Sequence, residues 1–177
     1  MQLKRWIALV GMMGCGKSSV GAGIARVLNT KWVDSDVEIE KAAMMTISEI
    51  FERDGEAFFR KKESQIIERL LDGTPQVLST GGGAFLSSHN RSLLNKRSFT
   101  VFLDADADTL WARVANKDDR PLLQTNNPRQ KLDNLLAERL PLYRQAQATV
   151  LSGKGASVGS VVDEIVQLAT AHGALIE

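Results

Sequence analysis

Short, nearly unbroken apolar runs alternate along this chain with segments whose apolar residues recur at helical spacing. Trp6-Ile7-Ala8-Leu9-Val10 is the clearest run. Lys31-Trp32-Val33, Gln76-Val77-Leu78-Ser79, Phe99-Thr100-Val101-Phe102-Leu103 and the weaker Ala148-Thr149-Val150-Leu151 resemble it. Runs of this kind suit parallel strands buried on both faces. Between them, Val20, Ile24, Val27 and Leu28 predict one helix, and Phe59, Ile66, Ile67, Leu70 and Leu71 a second. Val158, Val161, Val162, Ile165 and Val166 predict a last one. Thr46-Ile47-Ser48-Glu49 reads as a capping box opening a short helix. Strands alternating with helices imply an α/β fold with a mostly parallel sheet, whose ligands bind at the carboxyl ends of the strands.

With 177 residues, the chain suits one domain spanning 1–177. Apolar residues make up 44% and charged residues 24%, an ordinary balance, and the net charge of +1 gives no global field toward nucleic acid or an acidic membrane. No apolar run approaches the ~20 residues a bilayer requires. Met1 to Arg5 reads as a lead into the first strand rather than a targeting segment. Cys15, the one cysteine, has no intrachain disulfide partner, which fits a reducing compartment. The expectation is a cytoplasmic monomer without nucleic-acid or membrane partners.

Candidate chemistry begins at the end of the first run. Gly11-x-x-x-x-Gly16-Lys17-Ser18 matches the phosphate-binding Walker A pattern, with a strand ending at Val10 and a helix beginning near Lys17. Gly14, Cys15, Gly16 and Ser19 complete the cradle. Backbone amides and the helix start would face the phosphates, Lys17 would reach the β- and γ-phosphates, and the Ser18 hydroxyl would bind magnesium. A chance match somewhere in a chain of this composition is on the order of one in a hundred. Cys15 reads as a small residue contributing its backbone, ahead of an activated thiol.

The phosphoryl acceptor is a separate question. Asp34-Ser35-Asp36 follows the second strand. It reads equally as paired carboxylates for water-mediated magnesium binding and proton acceptance, or as a polar turn in which Asp36 caps the next helix. Arg60 and Glu63, one turn apart, read as a solvated surface pair. Gly81-Gly82-Gly83 after the third strand suggests close backbone approach to another group, ahead of a merely flexible turn. Asn116 to Arg129 is a polar stretch with the makings of a mobile lid. Arg139 falls on the apolar stripe of Leu132, Leu135 and Leu136, just before Pro141, which ends or bends the helix. An arginine there needs an anion, either an internal carboxylate or a substrate's. His89 and His172 read as surface or helix-end residues.

Taken in order, these motifs resemble the shikimate kinases, of the nucleoside monophosphate kinase-like P-loop group. The series comprises the glycine loop, Val33-Asp34-Ser35-Asp36, Ile50-Phe51 with Asp54-Gly55-Glu56, Phe59-Arg60-x-x-Glu63, Ser79-Thr80-Gly81-Gly82-Gly83, Arg120-Pro121-Leu122 and Arg139-x-Pro141-x-Tyr143. It extends from Ile7 to about Val166. The resemblance implies a five-stranded parallel sheet in the order 2-3-1-4-5 with helices on both faces. It implies a P-loop at 11–18, substrate-binding helices at about 37–72 and a lid at about 116–129. ATP and shikimate become the expected ligands, with Mg2+ as cofactor. Asp36 would bind shikimate hydroxyls and accept a proton, and Asp34 would order magnesium through water. Arg60 and Arg139 would clamp the carboxylate, and Gly81, Gly82 and Gly83 would wall the substrate site. Arg120 would reach the transferring phosphates from the lid, and Arg113 would pack on adenine. Gly153 to Ser157 lacks a clear family match. The rival readings are another small-molecule kinase of the group and a non-catalytic nucleotide-binding regulator.

Overall fold

The computed structural model describes residues 1–117 and 121–176, with Pro121 described by its backbone alone. Seven strands are found among these residues: β1 (Gln2–Leu3), β2 (Trp6–Val10), β3 (Trp32–Asp34), β4 (Val77–Ser79), β5 (Ser98–Asp104), β6 (Ala148–Leu151) and β7 (Leu175–Ile176). The helices are α1 (Lys17–Val27), α2 (Ser35–Ala43), α3 (Ile47–Leu71), α4 (Ser88–Arg97), α5 (Ala107–Val114), α6 (Pro128–Tyr143) and α7 (Val158–Ala171).

Five strands form one sheet in the order β3-β4-β2-β5-β6, every pairing parallel. This is the expected 2-3-1-4-5 order once β1 is set aside. All five residues of β2 are buried, as a central strand covered on both faces requires. Ile7 to Leu9 pair with Val77 to Ser79 on one side, and Trp6 to Val10 with Ser98 to Phe102 on the other. Helices cover the sheet: α1 packs on α7, β3 and β4, while α4 packs on α3 and β5. The parallel register brings the carboxyl ends of β2, β3 and β4 side by side, so the loops at Gly11 and Thr80 and the start of α2 at Ser35 lie together.

Several local readings need correction. Val27 and Val158 are exposed, so the stripes of α1 and α7 are narrower than the periodicity suggested. The two-residue antiparallel pair β1–β7, which joins Gln2 to Ile176 and Leu3 to Leu175, was not anticipated. Pro141 does not stop α6, which runs on to Tyr143. At that point only the last turn remains, so the missing N–H costs one bond near the end.

The capping box at Thr46 and Glu49 forms as expected. Its helix then meets Gly55, whose φ of 83° breaks the α3 path before the Phe59 stripe resumes. α3 packs against α2. Ile39, Ile50, Phe59 and Ile66 form a small apolar cluster there, separate from the main core.

Candidate active site

The loop after β2 wraps onto the start of α1. Gly16 is the residue before that helix and has φ 99°, a conformation that costs glycine little and other residues more. Lys17 folds back over the loop, donating from Nζ to the carbonyls of Gly11 at 2.8 Å and Met12 at 2.9 Å. The Cys15 thiol lies 3.6 Å from the same ammonium and is buried, so it fills the interior of the loop rather than only lending its backbone.

Asp34, not Asp36, caps α2. Its extended backbone (φ −113°, ψ 123°) makes it the last non-helical residue, and its Oδ1 accepts from the Asp36 N–H at 2.9 Å. Its other oxygen accepts from the Ser18 hydroxyl at 3.3 Å. Hydroxyl and carboxylate thus face one space beside the loop. Hard oxygen donors of this kind, few in number and open to phosphate oxygens, suit Mg2+. Asp36 turns instead toward Gly81: a Cβ on that glycine would meet Asp36 Oδ1 at 2.5 Å and Glu63 Oε2 at 3.0 Å. Side-chain crowding, more than chain flexibility, is what requires glycine here.

Glu63 is 1% exposed, which corrects the surface-pair reading. Its Oε1 accepts from Arg60 Nη1 at 3.0 Å. Burial pushes its carboxyl above the usual range, against the pull of Arg60 and Arg139. Arg60 also reaches Glu56 at 3.3 Å and lies beside the Phe59 ring, 5.1 Å from its centroid. Arg139 is 4% exposed, and its Nε and Nη1 have no hydrogen-bond partner among the described residues. One turn on, the Tyr143 hydroxyl donates to the carbonyl of Gly82. Burial holds that hydroxyl up to about 12, so it remains a donor.

These side chains line two adjoining hollows. The first, about 490 Å3, is bounded by Gly14 to Ser19, Arg113, Lys117, Ser152 and the Ala156–Val158 stretch. The second, about 470 Å3, is bounded by Phe51, Phe59, Arg60, Glu63, Gly83, Leu122 and Arg139. Met13, Ser18, Asp34, Asp36, Gly81 and Gly82 belong to both. A phosphate donor in one hollow and an acceptor in the other would meet across that shared wall.

The sequence of this chain matches the family model described as Shikimate kinase over residues 13–170. The chain belongs to the shikimate kinase family. It is 55% identical over 154 residues to the shikimate kinase of Cereibacter sphaeroides, covering 87% of this chain and 77% of that one. It is 51% identical over 164 residues to the Ruegeria pomeroyi shikimate kinase, covering 93% and 84%. The solved shikimate kinase of Acinetobacter baumannii in complex with shikimate superposes with a TM-score of 0.91 at 40% identity, over 95% of this chain and 94% of that one.

In this family member Gly14, Cys15, Gly16, Lys17, Ser18, Ser19 and Arg113 line the first hollow, and Asp36, Arg60, Gly81, Gly82, Gly83 and Arg139 the second. Arg120 lies outside the described residues. Arg113 donates to the carbonyls of Gly14 at 3.0 Å and Ser152 at 3.2 Å, tying the loop to the segment after β6. That segment lies within the stretch matched by the family model, and it supplies Ala156 and Ser157 to the first hollow. The expected lid overlaps α6 at Pro128 and Arg129 and contains a turn at Pro121–Leu123, whose Leu122 reaches the second hollow.

Sequence reasoning gave no role to Trp32 or Ser79. The Trp32 indole donates to Ser79 Oγ at 2.9 Å, and Ser79 Oγ donates to the Lys17 carbonyl at 2.9 Å. No local pattern signals this chain, because its three members come from three elements.

Proposed function

We propose that this chain transfers the γ-phosphoryl group of ATP to the 3-hydroxyl of shikimate, giving shikimate 3-phosphate and ADP in chorismate and aromatic amino-acid biosynthesis. The observation that carries the reading is the second hollow. Two guanidinium groups, Arg60 and Arg139, stand with the Asp36 carboxylate around a glycine wall, directly against the phosphate loop. That set matches an acceptor with a carboxylate at one end and hydroxyls at the other.

In this reading 1–177 is a single domain. The phosphates of ATP lie on Gly14 to Ser19, with Arg113 beside the base. Lys17 leaves the Gly11 and Met12 carbonyls to reach the β- and γ-phosphates. Arg60 and Arg139 fix the shikimate carboxylate, which orients the ring over Gly81, Gly82 and Gly83. Asp36 binds the ring hydroxyls and takes the proton of the 3-hydroxyl as its oxygen attacks the γ-phosphorus; ADP leaves with the former bridging oxygen. Arg120 supplies further positive charge, and closure of the 116–129 segment excludes water.

Ser18, with Asp34 through water, would hold Mg2+, which neutralises phosphate charge when bound. Chelation with EDTA and restoration by Mg2+ tests that dependence. The protein is read as a cytoplasmic monomer acting on small molecules alone, without nucleic-acid or membrane partners. Among the described residues no helix is long and apolar enough to cross a membrane. Sedimentation at assay concentration tests the monomer.

A coupled assay for ADP release tests the reaction, with shikimate, gluconate and AMP offered in turn. Turnover with shikimate alone is expected. Equal or greater turnover with gluconate or AMP overturns the acceptor assignment, and none with any of them favours a non-catalytic nucleotide binder.

A further inference from the structure

A third hollow of about 320 Å3 lies against α2 and α3 and shares no lining residue with the two above. Its floor is apolar and deep: Ile39 and Ile50 are 1% exposed and Ile66 is 7% exposed. Ala42 and Ala43 keep one wall low, and Phe58, 38% exposed, offers a ring at the rim. The lining residues of α3 fall on both sides of the break at Gly55: Ile50, Arg53 and Asp54 before it, Phe58, Lys62, Ile66 and Arg69 after it.

The rim has a pronounced charge bias. Arg53, Lys62 and Arg69 line it against a single carboxylate, Asp54, which Arg53 already engages at 2.8 Å. Lys62 pairs with no carboxylate among the described residues; its ammonium lies 5.4 Å from the Phe58 ring centroid. Among the described residues Arg69 has only a long contact of 3.9 Å with Glu38, which Lys41 holds at 2.9 Å. A local excess of two positive charges is large for a chain whose net charge is +1.

We propose that this hollow binds a small amphipathic carboxylate, one ring with a short acid arm, and that its occupancy changes affinity for the acceptor. A bare anion gains nothing from an isoleucine floor, and a neutral ring leaves the cations unused. A ring on Ile39, Ile50 and Ile66 with its carboxylate toward Lys62 and Arg69 uses both. The volume is at the small end of ligand cavities, which run from about 300 to 1,000 Å3, so it suits one ring rather than two. Coupling follows from the walls. Ile39 lies one turn after Asp36 on α2, and Ile66 one turn after Glu63 on α3. A ligand that fixes α2 against α3 therefore bears first on the acceptor hollow, through Asp36 and Glu63, and on the phosphate loop only through the Asp34 cap and its bond to Ser18. The effect is reciprocal between the two ligands.

The test uses 3-phenylpropionate as probe, titrated calorimetrically into the full chain with shikimate and ADP saturating, so that the other two hollows are filled. One site is expected. Binding should weaken about tenfold or more in Lys62→Gln/Arg69→Gln, as loss of charge-assisted bonds implies. Ala43→Leu, which fills the hollow without changing charge, should weaken it similarly, and Arg139→Ala should change it by no more than the coupling between the two ligands. The amide 3-phenylpropionamide and inorganic phosphate should each bind at least about tenfold more weakly. Saturating probe should shift the shikimate KM more than the ATP KM, and Ala43→Leu should remove the shift. Circular dichroism and melting establish that each variant is folded. No binding at millimolar probe overturns the site. So does loss in Arg139→Ala with retention in Lys62→Gln/Arg69→Gln, which would put the probe in the acceptor hollow. Phosphate binding as well as the probe reduces the hollow to an anion patch, and an unmoved shikimate KM removes the coupling.

Discussion

Gly83 lies directly against the guanidinium of Arg60: a Cβ built on it would fall within the positions of Cζ, Nη1 and Nη2. The backbone of Gly83 is ordinary, with φ −92°, so alanine there is not strained. Gly83→Ala acts only by displacing Arg60 from the acceptor hollow. The shikimate KM should rise roughly ten- to hundredfold, the range for one charge-assisted bond. The ATP KM should stay within error. Steady-state kinetics with each substrate varied decides it, and an unmoved shikimate KM would place the carboxylate contact away from Arg60.

Trp32, through Ser79, holds the carbonyl of Lys17. Trp32→Phe removes the indole donor and leaves the ring volume largely in place. The first turn of α1 should loosen, and the ATP KM should rise roughly two- to tenfold, as for one neutral hydrogen bond. General loss of folded protein would instead lower the apparent kcat and leave KM alone. In a double-mutant cycle, Trp32→Phe should add little on top of Ser79→Ala, because Trp32 acts through Ser79. Full additivity would mean that the two act independently.

Glu63 faces Arg60 and Glu56 from its own helix, Arg139 from α6 and Asp36 across Gly81. Burial is the largest influence and raises its carboxyl above the unfolded value. The folded protein therefore holds this proton more tightly than the unfolded chain. Its contribution to stability is fully present below the ordinary carboxyl range and is lost as pH rises through the raised folded value. Glu63→Gln stays neutral throughout. The melting temperature of the free variant should fall less than that of wild type over this interval. Parallel pH profiles would show that the carboxyl titrates alike in both states.

The strands of the large sheet were legible because burial on both faces leaves an uninterrupted apolar run, as in Trp6 to Val10. The phosphate loop was legible because its chemistry is local. Contacts between elements were not. The i,i+3 spacing of Arg60 and Glu63 announces a pair but cannot say that Gly81 and α6 enclose it. Either Asp34 or Asp36 had the chemistry to cap α2, and the extended backbone of Asp34 decides the matter. β1 and β7 have two residues each, too few for any periodicity.

The segment from Asn116 to Arg129 is expected to close when both substrates are bound. Leu122 already reaches the acceptor hollow, while Arg129 is pinned to Asp108 at 2.8 Å and Asp133 at 3.1 Å. The hinge should therefore lie before α6, and Arg129 should move little. Hydrogen exchange with and without an ATP analogue plus shikimate should show added protection over 116–127, and little change from Pro128 onward. Unchanged protection in the ternary complex would remove the lid from the mechanism.

Arg139 is the sharpest probe of acceptor identity. A guanidinium 4% exposed, with two nitrogens lacking hydrogen-bond partners among the described residues, is costly unless an anion meets it. Glu63 attracts it electrostatically but gives its Oε1 to Arg60. A substrate carboxylate would complete Arg139 with paired, charge-assisted bonds. Arg139→Lys keeps the charge and loses the fork, so the shikimate KM should rise at least about tenfold while the ATP KM stays put. The carboxamide analogue of shikimate supplies the complementary half. It should bind wild type poorly and lose little more in Arg139→Ala, because the missing carboxylate has already removed the interaction. Equal binding of acid and amide by wild type would make Arg139 a structural cation and take away the main support for shikimate as the acceptor.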